Sequence, residues 1–373
     1  MTTSEILLLF QTIIALLALL VSVVHLMDDR KKDDSYGSKR KKHKKKRSGS
    51  RGERVVVTLL SLLFLTVAAV ATVKYVVRAP EPDAGKESVQ TEQDGTQDED
   101  TDAIETIANG KERKKYCYTI LVYGVDNDAG GSDTNMLMRF DAEGKKIDVV
   151  SLPRDTLMSN GHKLNSSYNN GGTEKLRSNI EDMLGIPVDF YVSVDLKGFI
   201  ALIDQIGGVD FDVPEDMDYD DPYQDLHIHF KKGLQHLSGQ QSMEVVRFRH
   251  NNDNTGYGGR QDIGRIGTQQ AFLKAVAQKL MKLENVPAMA ETFLKYVKTD
   301  LTLGNLVWLA NEALGMGGMD AISFATLPGD GTGWYKGMSV YALDPTQVLE
   351  MTNSMLNPYA ADITAADQNI LVP

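Results

Sequence analysis

The chain has 373 residues, with 40 Lys and Arg against 51 Asp and Glu and a formal net charge of −11. That length holds one large domain or two smaller ones with segments to spare, and the acidic balance excludes a general attraction to the nucleic-acid backbone. A single cysteine, Cys117, allows no internal disulfide, so stability must come from a packed core.

Charge is spread unevenly. Residues 28–54 carry 13 Lys/Arg against 5 Asp/Glu, whereas residues 81–105 carry 10 acids against Lys86 alone. The basic stretch lies between two apolar runs, Ile6–Met27 and Val55–Val77, each long enough to cross a bilayer as a helix, which needs about 20 residues. We therefore expect residues 1–27 and 55–77 to hold two retained membrane helices, since no small-residue cleavage site follows the first run. The positive-inside rule places the basic loop 28–54 in the cytoplasm, beside anionic lipid headgroups, and the remainder outside the cell membrane. Residues 78–114 contain two prolines, many acids and few large apolar residues. Such a segment cannot bury enough surface to fold and is expected to be a disordered, solvated tether.

From 115 onward strands and helices alternate. Tyr118–Val125 is an apolar run, and Asn135–Phe140 and Lys146–Leu152 alternate in polarity, so all three read as strands. Thr173 is the expected N-cap of a helix with Leu176, Ile180, Met183 and Leu184 on one face, ended by Gly185 and Pro187. A strand follows at Val188–Val194, then a helix at Lys197–Ile206 closed by Gly207-Gly208, and a strand at Val209–Val213. Ser238 with Gln241 forms a capping-box pattern that opens another helix. A longer helix is expected at Thr268–Leu283, a further one near Leu303–Leu314, a strand at Ala321–Leu327, and a last helix opened by Asp344-Pro345. The pattern predicts an α/β fold, a three-layer α/β/α sandwich with a mixed central sheet. Residues 115–284 form its expected body, and 285–373 a C-terminal extension packed on the same globule.

Three groups of residues carry possible chemistry. Asp126 and Asp133 follow the first strand and suit a hard cation such as Mg²⁺, although Asp is also an ordinary turn residue. Arg154 and Asp155 end the third strand, where anionic ligands are commonly held. Arg247 and Arg249 alternate, so a strand-like segment points both to one face, and Arg265 and Gln269 share a face of the following helix. Arginines gathered in an acidic chain suit a phosphate or carboxylate clamp, but residue types alone favour surface ion pairs with the nearby acids. His227 and His229 share a strand face and could bind zinc, yet no third ligand stands at a recognisable spacing, which favours a solvated face. Neither a Gly-x-Ser-x-Gly elbow nor a Walker A loop is present, which argues against a serine hydrolase and a nucleotide-driven enzyme.

Taken together and in order, these motifs resemble the LytR-CpsA-Psr family of Gram-positive cell-envelope proteins. The resemblance runs from about Tyr118 to Leu283. It rests on Leu-Val-Tyr-Gly-Val-Asp126, Ser-Asp133-Thr, Ser-Leu-Pro-Arg154-Asp155, Lys163-Leu-Asn165-Ser-Ser-Tyr168, Leu-Gly-Ile-Pro-Val-Asp189, Val246-Arg-Phe-Arg-His250, and Asp262-Ile-Gly-Arg265 with Gln269-Gln270.

The resemblance implies a membrane-anchored phosphotransferase. Such an enzyme moves a glycopolymer, teichoic acid or capsular polysaccharide, from a polyprenyl-pyrophosphate carrier to peptidoglycan, with Mg²⁺ as cofactor. It also implies roles: Asp126 and Asp133 hold the metal, and Arg154, Arg247, Arg249 and Arg265 contact phosphates. Gln269 and Lys163 stand beside them, and Asp155 and Asp262 orient the arginines. The polyprenyl chain is expected in an apolar tunnel between sheet and helices. Members usually carry an arginine where this chain has Gly131, and Arg260 is the expected substitute. The alternatives are a polyprenyl-pyrophosphate pyrophosphatase and a non-catalytic regulator that binds polyprenyl phosphate.

Overall fold

A computed structural model describes residues 77–82, 111–125, 131–259, 261–281 and 286–373. The two predicted membrane spans (save Val77), the basic loop and most of the acidic tether lie outside these residues, as do Asp126 and Arg260. Among the described residues no helix is long and apolar enough to cross a membrane. Everything below concerns the unit Ala79–Pro373.

Strands β1 (Cys117–Val125), β2 (Ser132–Asp141) and β3 (Lys146–Leu152) form an antiparallel meander. At the β2–β3 turn the Asp141 carboxylate accepts from the Gly144 amide at 2.7 Å, and Lys145 adopts a φ of 52°. Two helices follow, α1 (Asn165–Asn169) and α2 (Gly172–Leu184), then β4 (Phe190–Asp195) and α3 (Leu196–Gln205). Strands β5 (Val209–Val213), β6 (Met217–Asp221), β7 (Leu226–Phe230) and β8 (Gly233–Leu237) build two short ribbons, β5 with β8 and β6 with β7. Next come α4 (Gly239–Arg247), α5 (Gln261–Leu280), α6 (Val286–Tyr296), β9 (Lys298–Thr299) and α7 (Leu303–Gly315). The chain closes with β10 (Ile322–Thr326), a hairpin of β11 (Gly329–Tyr335) and β12 (Met338–Leu343), and α8 (Pro345–Met351).

The central sheet has six strands in the order β10-β3-β2-β1-β4-β9 and is mixed, with β4 parallel to β1 and β10 parallel to β3. Because β9 and β10 belong to it, the sheet takes strands from both sides of residue 285. Period-two alternation turns its side chains into two cores. Leu121, Tyr123, Leu137 and Val150 pack on one face against Leu176 and Ile180 of α2 and Val348 of α8. Ile120, Phe140, Ile147 and Val192 pack on the other face with Leu309 of α7, against which Phe293 of α6 also lies. Helices therefore cover both faces. A third core joins the ribbons to the helices through Val209, Phe211, Ile228, Phe248 and Phe272. Each large apolar side chain buried in these cores contributes about 1.5–3 kcal/mol relative to exposure.

Three local readings differ from the sequence expectations. Helix α5 begins at Gln261 rather than Thr268, and Gly264 and Gly267 lie within its first turns. Gly264 also answers a packing demand: a Cβ there would stand 2.1 Å from Cγ of Tyr257, so only glycine lets that ring lie on the helix. Thr173 does not cap α2; the N-cap is Gly171, and the Thr173 hydroxyl hydrogen-bonds the Tyr123 hydroxyl at 2.6 Å. Arg247 is the last residue of α4, not part of a strand, and Arg249 follows the C-cap Phe248. The Ser238–Gln241 capping box that opens α4 forms with both of its hydrogen bonds.

The segment leading into β1 is held by charge and by the chain's end. Arg113 makes a two-pronged ion pair with Asp189, Nη1 to Oδ1 at 2.7 Å and Nη2 to Oδ2 at 2.6 Å. Asp189 also accepts from the Thr119 amide at 2.8 Å. Alongside, the Lys114 amide donates to Pro358 and the Ala360 amide to Glu112.

Candidate active site

A cavity of about 440 Å³ opens between the sheet, helices α3, α4 and α5, and the β6–β7 ribbon. Its apolar part is made by Val122 and Met136 of the sheet, Phe199 of α3, Leu226 of β7, Met243 of α4 and Phe272 of α5. Arg154, Arg247, Arg249 and Arg265 line it as well, against two carboxylates, Asp133 and Asp195. One wall of an acidic protein thus carries an excess of positive charge beside an apolar space.

Each arginine is placed by a different element. Arg154 follows β3 through Pro153, and its Nη1 donates to Oδ1 of Asp133 at the start of β2, at 2.6 Å. Antiparallel pairing of Asn135 with Leu152 brings these two chain ends together. Arg247, at the end of α4, donates from Nη2 to Oε1 of Gln224 in the β6–β7 turn at 2.6 Å. Asp262 in the first turn of α5 sits 2.8 Å from Nη2 of Arg265 and 3.5 Å from Nη2 of Arg249, so one carboxylate bridges two guanidinium groups. Gln269, one turn beyond Arg265, donates from Nε2 to Thr134 Oγ1 at 3.2 Å and to the Val246 carbonyl at 3.1 Å. It ties α5 to β2 and to α4.

The side chains form a gradient of depth. Arg265 is 9% exposed, Arg154 24% and Arg249 40%. Burial pulls the Arg265 guanidinium below its ordinary pKa; Asp262 and Asp133 oppose this and the neighbouring Arg249 and Arg154 add to it. An arginine keeps its charge under such pressure. Arg154, Arg249 and Arg265 each hold a buried Nε with no hydrogen-bond partner. Four guanidinium groups around one cavity, each a planar fork of donors, fit a polyanionic ligand.

Of the residues expected to act together, Asp133, Arg154, Arg247, Arg249, Arg265 and Gln269 all line this cavity. Asp155 and Lys163 lie just behind it: Lys163 Nζ is 3.1 Å from Asp155 Oδ1, and Arg154 Nε is 3.8 Å from the same oxygen. Asp126 and Arg260 fall outside the described residues. Sequence reading missed Gln224, Thr134 and the apolar lining, because a turn glutamine and scattered core residues carry no pattern that marks a site.

Gly131, which stands where an arginine was expected, has a φ of +86°, and its amide donates to Asn169 Oδ1 at 2.6 Å. A Cβ would meet the Asn165 carbonyl oxygen at 3.2 Å. Gly131→Arg is expected to destabilise the fold by about 1–2 kcal/mol, the cost of a left-handed L-residue. A urea melt of the variant that matched the parent would contradict this.

The LytR_cpsA_psr family profile matches residues 83–357. The chain belongs to that family. Among relatives of the LytR_cpsA_psr family, the polyisoprenyl-teichoic acid–peptidoglycan teichoic acid transferase TagV of Bacillus subtilis (strain 168) is 31% identical over 206 residues. That match covers 51% of this chain and 51% of TagV, so it spans about half of the relative's length. The regulatory protein MsrR of Staphylococcus aureus (strain COL) is 30% identical over 205 residues, 52% of this chain and 59% of MsrR. The crystal structure of B. subtilis TagV superposes with a TM-score of 0.56 at 27% identity, covering 65% of this chain and 96% of that one. The mixed central sheet is therefore the fold of the family.

Proposed function

We propose that this chain is a phosphotransferase that joins a glycopolymer, teichoic acid or capsular polysaccharide, to peptidoglycan. The donor is the polymer's polyprenyl-pyrophosphate conjugate. The observation that carries the reading is the set of four guanidinium side chains, Arg154, Arg247, Arg249 and Arg265, that line an apolar cavity. A pyrophosphate and a prenyl chain joined in one molecule ask for that pairing of surfaces. Kinship with a family whose relatives include a named teichoic acid transferase supports it.

In the reaction an acceptor hydroxyl attacks the phosphorus that bears the sugar. A new P–O bond forms as the hydroxyl proton passes to solvent, the bridging P–O bond of the pyrophosphate breaks, and polyprenyl phosphate leaves with the electron pair. Phosphoryl transfer of this kind needs mainly positioning and charge neutralisation. Arg265 and Arg154 bind the phosphates from the inner side and Arg249 and Arg247 from the outer. Asp262 fixes Arg265 and Arg249 in register, and Lys163 with Asp155 backs Arg154. The apolar lining takes the prenyl chain next to the phosphates and excludes water. The half-exposed Asp133 carboxylate is a hard oxygen donor of the kind Mg²⁺ takes, and Asp126 and Asp133 are the residues that would hold the ion. When bound, Mg²⁺ supplies further neutralisation of the phosphate oxygens.

The reading places the catalytic unit on the outer side of the cell membrane, anchored by the apolar runs 1–27 and 55–77, where a lipid-linked donor is within reach. The loop 28–54 would face anionic lipid on the inner side.

Incubated with Mg²⁺, a lipid-pyrophosphate glycopolymer and peptidoglycan, the full-length chain is expected to release polyprenyl phosphate and leave the polymer on peptidoglycan. Arg154→Ala should abolish both, and unchanged turnover by that variant would refute the assignment. Release without peptidoglycan would identify a pyrophosphatase. A second reading, a regulator that holds polyprenyl phosphate without turning it over, is favoured by Gly131 in place of an arginine and by the relative named a regulatory protein. Saturable binding with no product in either assay would establish it.

A further inference from the structure

The β6–β7 ribbon turns Tyr219 and Ile228 inward and Asp218, Asp220, His227 and His229 to solvent. Antiparallel register sets Asp220 opposite His227 and Asp218 opposite His229. In sequence the two histidines have no third partner, because the third group arrives from the other strand. One ligand atom each from Asp220, His227 and His229 lie within 4.8 Å of one another. Asp220 Oδ1 is 2.5 Å from Nδ1 of His227 and 3.3 Å from Nε2 of His229.

We propose that Asp220, His227 and His229 form a transition-metal site, selective for Zn²⁺ or a similar ion over Mg²⁺, that cross-links β6 to β7. Two imidazoles and one carboxylate, with water in a fourth position, are a common zinc ligand set. Bonds of about 2.0–2.2 Å hold tetrahedral ligand atoms roughly 3.3–3.6 Å apart, so small rotations of three exposed side chains close the site. Imidazole donors favour such ions, whereas Mg²⁺ prefers oxygen.

The surroundings supply a second, independent indication. A ligating histidine ordinarily gives its other ring nitrogen to a carboxylate, which fixes its tautomer and orientation. Here His229 Nδ1 lies 2.8 Å from Asp218 Oδ1, and His227 Nε2 lies 3.7 Å from Asp225 Oδ1. His229 thus has an acid bonded to the nitrogen that the ion would leave unused, and a second acid stands near that of His227.

The location gives the site a consequence. Tyr219 and Leu226 of the same ribbon line the main cavity, and Gln224 in its turn holds Arg247. An ion on the outer face fastens the two strands that carry these inner contacts, and it does so whatever reaction the cavity performs.

The test uses the full-length chain stripped of metal by a chelator, in millimolar Mg²⁺ so that oxygen-only sites are filled, titrated with Zn²⁺ by calorimetry and with Co²⁺ by visible absorption. One equivalent is expected to bind, with the intense bands of tetrahedral Co²⁺. At 100 times the Kd, Zn²⁺ should raise the folded-to-unfolded ratio about a hundredfold. Asp218→Asn should weaken affinity by about 10- to 100-fold, and His227→Ala with His229→Ala should abolish it. His236→Ala, on the neighbouring ribbon and outside the cluster, should bind as the parent does. All these residues are exposed, so the variants fold. Absence of saturable binding by the parent, or undiminished binding by the double variant, overturns the site.

Discussion

Replacing Arg265 by alanine is expected to lower the transfer rate by about 100- to 1,000-fold, the usual cost of removing one preorganised donor from a site of developing charge. Arg265 is chosen over its neighbours because it is the deepest of the four guanidinium groups and stands in the early turns of α5 rather than at an element's end. Its Nη2 is fixed on Asp262 while its Nε has no partner, so its position is set before any ligand arrives. Arg265→Lys keeps the charge but loses the planar fork, and should recover only part of the rate. Arg249→Ala, at the exposed end of the same Asp262 bridge, should cost less than Arg265→Ala. Steady-state rates of polyprenyl phosphate release from a lipid-pyrophosphate donor check all three. A parent-like rate for Arg265→Ala would remove the arginine cluster from the reaction.

The largest expected loss of stability lies elsewhere. Asp189→Ala should destabilise the fold by about 3–5 kcal/mol, since it leaves a buried guanidinium without its counter-charge. The side chains of Arg113 and Asp189 are only 8% and 3% exposed. Burial alone would lower the Arg113 pKa; Asp189 and, to a smaller extent, Tyr359 and Cys117 together offset this and leave it above its ordinary value. Asp189 also accepts from the Thr119 amide, so its loss strands a donor of β1 as well. Urea unfolding measures the effect. Arg113→Ala combined with Asp189→Ala should lose less than the sum of the single variants, the signature of a coupled pair. Strict additivity would show that the pair contributes through separate contacts.

Strands and helices were legible where the physics is local. The alternation in Lys146–Leu152, the αL glycine at 185 and the capping box at Ser238 each set an element that the structure contains. Reading failed where long-range contact decides. The expected start of α5, Thr268, lies past the two glycines of its first turns, although Gly264 is required by Tyr257, seven residues earlier in the chain. Arg247 and Arg249 do line one cavity, but through a helix end and a following bend rather than the strand that was expected. The third member of the His227–His229 cluster comes from cross-strand register, which spacing along one strand does not encode. The apolar lining was likewise hidden, since Phe199, Leu226 and Phe272 come from three elements that also supply the third core.

The backbone at Gly131 constrains how this site could be changed. With a φ of +86° and its amide bound to Asn169, position 131 is held in a conformation that resists a side chain. An arginine gained there by a single codon change would meet a backbone already committed to glycine. A fifth cavity cation is therefore reached more easily by a basic residue on another segment than by a substitution at 131.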